Sequence, residues 1–552
     1  MENDLEIIYQ EIVPQQEKLR GSFDTKKLAV DNWYKSLHLI NTAETQERIS
    51  LVLTEVNQLQ VPYDERKYLL DLLYEPVISL AGHVKKTYLD TKFPLAAEDK
   101  EKVNNCIKLY NQLIVGHSII LLELVDNRTR RFLSIITGRQ KKELAETIQV
   151  ITRYLTQIVL TNFEVYNQAP SAIWEKLYAL YQFSEKKKID NLMVTDKMLR
   201  AETSVKLTFL QSLLLSLADP YHFNQQQIYF IYKHLAHWAK FVKMSSEDKS
   251  KDTNFSAVNL TEEFMPTFFP RGKEPKRSDM LYLDSHELTI ERINESEEEV
   301  GGFLSPKIKE ALLSQLKVSL AVFVERKHDR REFFSEVKIV MGINHVHYVL
   351  NNYQNPEWVS NANFESKISD EEDIDYGALN SLNSLLSPSK PPEPLKIETF
   401  LTENASLNGL SLVWVSPESV KLNIGEVVAV SHSKEDKPNQ WAVAVIRRIQ
   451  YGDNQPLRVG IQIISSHKTK AIGVMRPDEF KKYRALYLPA TDKFSAQPTI
   501  LTDALTFNEN ELLKIVPCSK TVAGAPERTI RLMQNKETTS FYMRFELGLE
   551  NN

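Results

Sequence analysis

Apolar residues in the first 243 positions recur at helical spacing. Val103, Ile107 and Tyr110 follow one another at steps of three and four, which places them on one face of a helix. Similar stripes lie on both sides of this one, and the pair Asp219-Pro220 predicts a helix end, because the residue before proline is driven out of the helical region. Helices with one apolar stripe must bury it against their neighbours. Residues 1–243 are therefore predicted to form an all-α bundle or superhelix.

The helical spacing of apolar residues ends after residue 243. Residues 244–304 combine a charged linker with short apolar segments, and we expect a small mixed α/β segment there. A helix is predicted at about 305–325, and from Phe333 onwards apolar and polar residues alternate, which is typical of strands. Residues 352–398 are acidic and rich in proline. We expect this stretch to be disordered, because it offers too little apolar surface to offset the entropy of ordering the chain.

Beyond this stretch the chain is rich in strands. Runs such as Trp441–Ile446 and Leu457–Ile464 are separated by short turns, and several short antiparallel strands at this spacing indicate a small barrel. The predicted barrel spans residues 305–485 with the disordered stretch as an insertion, and residues 486–552 are predicted to form a small C-terminal β region. The expected fold class is multidomain α + β, a helical module followed by a six-stranded antiparallel barrel.

Composition narrows the class of protein. A chain of 552 residues exceeds what one hydrophobic core supports. Its net charge of −5 argues against binding of a nucleic-acid polymer, which needs a basic face. Cys106 and Cys518 match no metal-ligand spacing and favour a reducing compartment.

The N-terminus lacks the features of a secretory signal, and no apolar run is long enough to span a bilayer. We expect a cytoplasmic protein without membrane insertion.

An Arg-x-x-x-Arg element lies where the predicted helix meets the first strand. It consists of Arg326 and Arg330, and Arg331 adds a third cation. Arginine can bond both acceptors of a guanine edge, fork onto a phosphate or stack on a purine face, and lysine cannot copy this geometry. The alternative interpretation is a solvated helix face, because such an i, i+4 pair beside Glu325 and Asp329 is common in helices.

An Asn-x-Ser-x-x-Gly element stands directly before another predicted strand. It consists of Asn404, Ser406 and Gly409. Asparagine and serine favour turns and bond the backbone, and glycine permits a positive φ or a close backbone approach. The element can therefore bond a base, or it can be an ordinary turn. Taken with the arginines, it suggests a receptor for a small anionic nucleotide, and a dinucleotide with two phosphates and two guanines would use every binding mode of arginine.

These two elements resemble the signature of the PilZ domain, a bacterial family of receptors for cyclic di-GMP. In that family Arg-x-x-x-Arg enters a six-stranded barrel and Asp/Asn-x-Ser-x-x-Gly follows in the early strands. The resemblance implies cyclic di-GMP as the ligand, with no cofactor and no metal. The arginines would clamp phosphates and guanine edges, and the second element would bond guanine and shape the turn. The residues so assigned are Arg326, Arg330, Arg331, Asn404, Ser406 and Gly409.

The helical part carries a second resemblance. The segments Pro170–Tyr181 and Leu217–Tyr221 are similar to a proteobacterial group in which a long helical region precedes a PilZ domain. The spacing of the two elements departs from the family, because 73 residues separate Arg330 from Asn404 and the family has a few tens. The acidic insertion accounts for the excess, and the entropy of closing a loop grows only logarithmically with its length.

The resemblance implies a non-enzymatic effector in bacterial second-messenger signalling. Because the arginines lie between the helical module and the barrel, we expect the ligand to order this connector. It would thereby change the arrangement of the domains or the binding of a protein partner to the helical module. One alternative is an interaction scaffold in a motility or envelope complex, with a barrel that no longer binds nucleotide. The other is an enzyme in the helical half, for which the sequence offers no catalytic constellation.

One histidine pair has a spacing that could suit a metal site. His345 and His347 are two residues apart, which on a strand would place both rings on one face. No cysteine or carboxylate cluster accompanies them, so we expect a pair with structural roles and no metal.

Overall fold

The computed structural model describes most of the chain and leaves several segments out. The residues that it describes are 5–12, 27–37, 42–88, 92–126, 138–246, 255–261, 267–269, 280–285, 287, 306–321, 331–359, 395–406, 408–431, 441–452, 455–466, 468–491, 494–518 and 528–549. None of the described helices is long and apolar enough to cross a bilayer.

The N-terminal part is helical, as predicted. Helix α6 lies at its centre, because residues on every side of this helix are buried, whereas a surface helix buries one stripe. A short hairpin of strands β1 (Val194–Asp196) and β2 (Ala201–Thr203) follows α7. The helices are α1 (Glu6–Tyr9), α2 (Lys27–Lys35), α3 (Thr42–Gln58), α4 (Tyr63–Tyr88), α5 (Ala97–Asp126), α6 (Gly138–Glu164), α7 (Ser171–Lys186), α8 (Val205–Leu217) and α9 (Gln225–Trp238).

Local sequence sets the helix ends near the barrel. Helix α8 stops at Leu217, two residues before the predicted end at Asp219-Pro220. Helix α9 begins with a capping box, in which the Asn224 side chain accepts from the backbone N–H of Gln227 at 2.9 Å. The Gln227 side chain accepts in return from the backbone N–H of Asn224 at 3.0 Å. These contacts fix the turn between the two helices, which faces the first barrel.

A buried polar network joins the central helix to its neighbours. Arg153 Nε of α6 donates to Asp196 Oδ2 of β1 at 2.6 Å. Its Nη1 donates to Gln211 Oε1 of α8 at 2.6 Å and to the hydroxyl of Tyr232 in α9 at 3.0 Å. Gln149 Nε2 donates to the same carboxylate at 2.7 Å. The sequence pattern gave no sign of this network, because its polar residues lie within apolar stripes.

A small sheet and a helix connect the module to the barrels. The sheet order is β3-β6-β4-β5, and the mixed segment expected at 244–304 thus contributes antiparallel strands. The helix predicted at 305–325 is α10 (Pro306–Ala321), which packs on α8 and on the last barrel. The strands are β3 (Lys243–Ser245), β4 (Phe255–Asn259), β5 (Thr267–Phe269) and β6 (Met280–Asp284).

The first barrel has the expected six antiparallel strands. Its order is β8-β9-β10-β13-β12-β11, closed by pairing of β11 with β8, and β7 extends the first strand along β9. Its apolar interior is continuous with the core of the helical module. The strands are β7 (Arg331–Glu332), β8 (Glu336–Met341), β9 (Glu398–Ala405), β10 (Gly409–Trp414), β11 (Val427–Ser431), β12 (Ala442–Gly452) and β13 (Gln455–Ser465).

The C-terminal region is a second closed barrel with the same topology. Its order is β14-β15-β16-β19-β18-β17, so in both barrels the strands follow the order first, second, third, sixth, fifth, fourth. Strands β14 and β15 pair within this barrel, whereas the predicted boundary at residue 485 assigns β14 to the first barrel and divides β15. The strands are β14 (Lys470–Met475), β15 (Tyr483–Leu488), β16 (Thr499–Asp503), β17 (Leu512–Val516), β18 (Thr529–Thr538) and β19 (Tyr542–Leu549).

A helix lies between the two barrels. Helix α11 (Ile343–Leu350) packs Val346 and Val349 into an apolar cluster shared with the outer faces of both barrels. The expectation that His345 and His347 share a strand face is therefore wrong. His345 Nδ1 lies 3.1 Å from the carbonyl of Met341, the last residue of β8. His347 is buried, and its Nε2 lies 3.0 Å from the Ile472 carbonyl of the second barrel. The described residues contain no cluster of three or more potential metal ligands.

The ends of the predicted disordered stretch are ordered. Residues 352–359 and 395–398 are described, and the remaining residues, 360–394, lie outside the described part of the chain. The Trp358 ring packs over Gly473 of the second barrel, where a Cβ atom would come within 3.0 Å of the ring. Glu357 N–H donates to the Cys518 carbonyl at 3.0 Å. An aromatic side chain and a backbone bond thus anchor the start of a stretch whose composition alone indicated disorder.

Candidate ligand-binding site

The start of the first barrel strand brings Arg331, the residue after the Arg-x-x-x-Arg element, next to the Asn-x-Ser-x-x-Gly element. Arg331 pairs with Ala405 and Glu332 pairs with Asn404, in antiparallel register. Ser406 follows Ala405 directly, so the described end of the arginine segment lies beside the Asn-x-Ser-x-x-Gly turn. The long intervening stretch does not separate Arg331 from this turn in space, because the chain returns along β9.

Two of the three candidate arginines lie outside the described residues. Arg326 and Arg330 belong to this group, and Arg331 is the first described residue of β7 and is exposed.

The turn between β9 and β10 is closed by backbone contacts. Ser406 N–H donates to the Gly409 carbonyl at 2.8 Å, and Ile463 N–H donates to the Asn408 carbonyl at 2.9 Å. A Cβ atom at Gly409 would lie 3.1 Å from Ser406 Oγ and 3.5 Å from the Ile461 carbonyl. A Cβ atom would therefore crowd the serine hydroxyl, so glycine favours the close approach here, which is one of the two roles that the sequence leaves open.

Two asparagine oxygens at this turn are buried without a hydrogen-bond partner among the described residues. They are Oδ1 of Asn404 and Oδ1 of Asn408. Buried acceptors in folded proteins are almost always paired with a protein donor, water or a ligand. Asn404 was predicted as a site residue, whereas Asn408 was not, because it occupies a variable position of the element. Both can accept from the N–H groups of a planar base.

The carboxylate of Glu403, on the outer face beside the turn, is paired with a cation and a hydroxyl. Arg458 Nε of β13 donates to Glu403 Oε1 at 3.2 Å, and Ser411 Oγ of β10 donates to Glu403 Oε2 at 3.2 Å. A bare carboxylate at Glu403 would repel an anionic ligand at this barrel end. Pairing with a cation and a hydroxyl reduces that repulsion, so the exposed Arg331 next to it can attract an anion.

The tandem pair Arg447-Arg448 faces outward because of a β-bulge. Ile446 pairs with Ile461 and Arg448 pairs with Gly460, which leaves Arg447 as the extra residue of β12. In a regular strand consecutive side chains point to opposite faces. The bulge places both guanidinium groups on the barrel exterior, as the sequence interpretation favoured.

Each of these arginines holds a different neighbour. Arg448 Nη1 donates to Asp219 Oδ2 of the helical module at 2.8 Å, and its guanidinium lies 5.0 Å from the centre of the Tyr221 ring. Burial raises the pKa of Asp219, but His222 and Arg448 outweigh burial and hold this pKa below its ordinary value. Arg447 Nη1 lies 2.5 Å from Glu537 Oε1 of the second barrel. The first barrel is thus tied to both neighbouring domains through one strand.

The helical module also contacts the first barrel through backbone bonds. The N–H and carbonyl groups of Phe93 and Val420 bond each other, with N–O distances of 2.7 and 2.6 Å. Tyr451 N–H at the β12–β13 hairpin donates to the Tyr166 carbonyl at 2.8 Å. A cleft of about 390 Å³ lies beside this contact and is lined by Asn111, Asn162 and Gln450 among others.

Two family models match separate parts of the chain. The model described as the N-terminal domain of the cyclic-di-GMP receptor FimW matches residues 28–249, and the model described as the middle PilZ domain of that receptor matches residues 357–469. The second match contains Asn404, Ser406 and Gly409, and it begins after the arginine segment. Together the two matches cover more than half of the chain.

One curated relative aligns along nearly the whole sequence. The cyclic-di-GMP receptor FimW of Pseudomonas aeruginosa is 24% identical over 561 aligned positions, which cover 93% of this chain and 89% of the relative. No solved structure matches the chain. The helical region, the six-stranded barrel with its Asn-x-Ser-x-x-Gly turn and the two model matches agree with one another. The chain belongs to the PilZ-domain proteins, in the proteobacterial group in which a long helical region precedes the barrel.

Proposed function

We propose that this chain is a non-enzymatic effector that binds cyclic di-GMP at the end of its first barrel. The observation that carries the proposal is the register of Arg331 with Ala405, which lies beside the turn of Asn404, Ser406 and Gly409. The name of the FimW relative and the middle PilZ match support the same ligand.

The proposed roles follow from the chemistry of each group. Arg326 and Arg330 would bind phosphates and the Hoogsteen edges of guanine through bidentate hydrogen bonds, with Arg331 as a third cation. The oxygen of Asn404, for which the described residues supply no partner, would accept from guanine N–H groups, and Ser406 would add a hydroxyl. Gly409 would keep the turn close to the backbone of β13. No metal or further cofactor enters this scheme.

The signal would travel through α10. This helix ends at Ala321, ten residues before Arg331, and it packs against α8 of the helical module and β18 of the second barrel. Lys307 Nζ at its start donates to Asn508 Oδ1 of the second barrel at 2.6 Å. A ligand that binds the arginine segment differently in two arrangements would bias the position of α10. We propose that the protein acts in the cytoplasm and that the helical module passes this change to a protein partner.

Calorimetric titration of cyclic di-GMP into the full chain tests the proposal. We expect binding by the unaltered protein and its loss in Arg330→Ala. Arg139→Ala is the matched control, because Arg139 is an exposed arginine of α6 whose side chain pairs only locally, with Glu143 at 3.0 Å. Absence of binding by the unaltered, folded protein would contradict the proposal and favour the interaction scaffold.

A matched scattering experiment tests the proposed signal. Small-angle scattering profiles of the full chain are compared with and without cyclic di-GMP, and we expect them to differ. If the ligand binds and the two profiles superimpose, the rearrangement through α10 is wrong although the receptor assignment stands.

A further inference from the structure

Two adjacent phenylalanines are exposed beside the candidate site. The side chain of Phe334 is 75% exposed and that of Phe333 is 45% exposed. Burying a phenylalanine side chain stabilises a folded protein, so the exposure of these two rings gives up stability. Exposed aromatic surface beside polar groups is typical of a binding surface.

A β-bulge explains why both rings face outward. Glu332 pairs with Asn404 and Glu336 pairs with Leu401, so three residues on the first strand oppose two on β9. The extra residue breaks the alternation that would otherwise bury one of two consecutive side chains. Bulges of this kind re-aim side chains at functional sites.

The backbone that carries the rings is fixed. Phe333 N–H donates to the Glu403 carbonyl at 3.3 Å, and Ser335 N–H donates to Thr402 Oγ1 at 2.8 Å. Thr402 N–H donates in return to the Ser335 carbonyl at 2.8 Å. The two rings therefore stand on ordered chain, and a ring on ordered backbone loses less entropy when it binds a ligand.

The position of the two phenylalanine rings favours a planar base as the group that they contact. Phe333 and Phe334 follow Arg331 within three residues, and their strand lies next to Asn404, whose oxygen lacks a described partner. A planar purine whose edge bonds Asn404 presents a flat face to its surroundings. Aromatic side chains stack on such faces whatever the base, and each stacked base contributes about 1–3 kcal/mol to binding.

We infer that Phe334 is a stacking platform for one guanine of the ligand, with Phe333 supporting its position. This inference rests on the proposed function, because it assigns a further contact at the same site. It adds an aromatic contact to the hydrogen bonds of the two sequence elements.

Titration of cyclic di-GMP into phenylalanine variants of the full chain tests the platform. Phe334→Ala is expected to weaken binding by about 5- to 100-fold. Phe334→Tyr keeps an aromatic face and is expected to bind within about threefold of the unaltered protein, whereas Phe334→Leu keeps apolar surface without a ring and is expected to resemble the alanine variant. Phe480→Ala is the matched control, because Phe480 is 98% exposed on the second barrel.

Each outcome bears on one of the two proposals. If the unaltered protein binds, Arg330→Ala does not, and Phe334→Ala binds normally, the platform is wrong and the receptor assignment stands. Equal weakening by Phe334→Ala and Phe480→Ala also overturns the platform, because the effect is then not local. Absence of binding by the unaltered protein would contradict both the receptor function and the platform. Circular dichroism of each variant shows that the fold is retained, which is expected since both side chains are exposed.

Discussion

Arg448 of the first barrel donates to both carboxylate oxygens of Asp219 in the helical module, at 3.0 and 2.8 Å. Asp219 itself has a positive φ of 53°, an uncommon conformation for a residue other than glycine. The aspartate is thus held in an unfavourable backbone conformation at the end of α8, where it meets the barrel. This ion pair links the domain that binds the ligand in our proposal to the module that would pass on the signal.

We predict that Arg448→Ala loosens this contact without unfolding either domain. The side chains are 34% and 42% exposed, so the pair contributes at most about 1 kcal/mol, with a similar amount from the Tyr221 ring. Hydrogen exchange at the backbone amides around Asp219 and Tyr451 should become faster, while exchange within the α6 core stays unchanged. Arg139→Ala is expected to change neither region. Equal protection in the variant and the unaltered protein would show that the backbone contacts alone hold the interface.

The buried pair Arg153–Asp196 should behave differently. Both side chains are nearly inaccessible, at 3% and 1% exposure, and removing one partner leaves a buried charge without compensation. Asp196→Asn is therefore predicted to lower the free energy of unfolding of the helical module by about 3–5 kcal/mol. Urea unfolding followed by circular dichroism measures this change.

The exposed pair Lys197–Asp71 supplies the control for the buried pair. Its atoms are as close, at 2.6 Å, but its side chains are 54% and 40% exposed. Lys197→Ala is expected to change stability by less than about 1 kcal/mol, because solvent screens exposed pairs. Similar losses for the two variants would contradict the view that burial, and not distance, sets the energetic weight of the Arg153 network.

The sequence predicted the helical module and the first barrel because both depend on short-range patterns. The stripe through Val103 and Ile107 and the alternating positions in β12 and β13 report the period of each element directly. The turn at Asn404–Gly409 was also predictable, because asparagine, serine and glycine favour turns through local hydrogen bonds and small size. Its closeness to Arg331 was suggested only by the family resemblance, since strand register joins residues 74 positions apart.

Other features depend on contacts that no local pattern encodes. Helix α11 is short and apolar, so its alternation of histidine and valine was mistaken for a strand. The residue alternation in β14 and β15 is compatible with a strand of either barrel. Only their hydrogen-bonded neighbours assign them to the second barrel. The Arg153 network and the outward turn of Arg447 and Arg448 likewise arise from packing and from a bulge.

Glu426 gives the protein a predicted pH dependence. Burial raises its pKa from 4.5 to about 7, although Asn423 donates to its carboxylate at 3.0 Å. Between pH 4.5 and 7 the folded protein therefore holds a proton that the unfolded chain has released. Its contribution to stability is present at low pH and is lost as the pH rises through 7, by about 2–3 kcal/mol. Glu426→Gln removes this loss, since glutamine does not titrate.

The difference between the variant and the unaltered protein isolates this effect from other titrating groups. The free energy of unfolding of Glu426→Gln, measured in urea at pH 5 and pH 8, should rise relative to the unaltered protein by about 2–3 kcal/mol at the higher pH. Glu418→Gln is the control, because the Glu418 side chain is 74% exposed. A pH-independent difference for Glu426→Gln would mean that its carboxylate is ionised in the folded protein throughout this range.

Gly409 offers a test of the turn that is independent of any charge. Gly409→Ala introduces a Cβ atom 3.1 Å from Ser406 Oγ, which is closer than most real contacts allow. The serine must move, and we predict that binding of cyclic di-GMP weakens by about tenfold while stability falls by no more than about 1 kcal/mol. Gly82→Ala is the control, because a Cβ there would contact nothing beyond its chain neighbours and the backbone of its own helix, and alanine favours the interior of α4. That variant should bind normally and gain up to about 1 kcal/mol in stability. If Gly409→Ala binds as tightly as the unaltered protein, the turn has room to adjust and Ser406 does not contact the ligand.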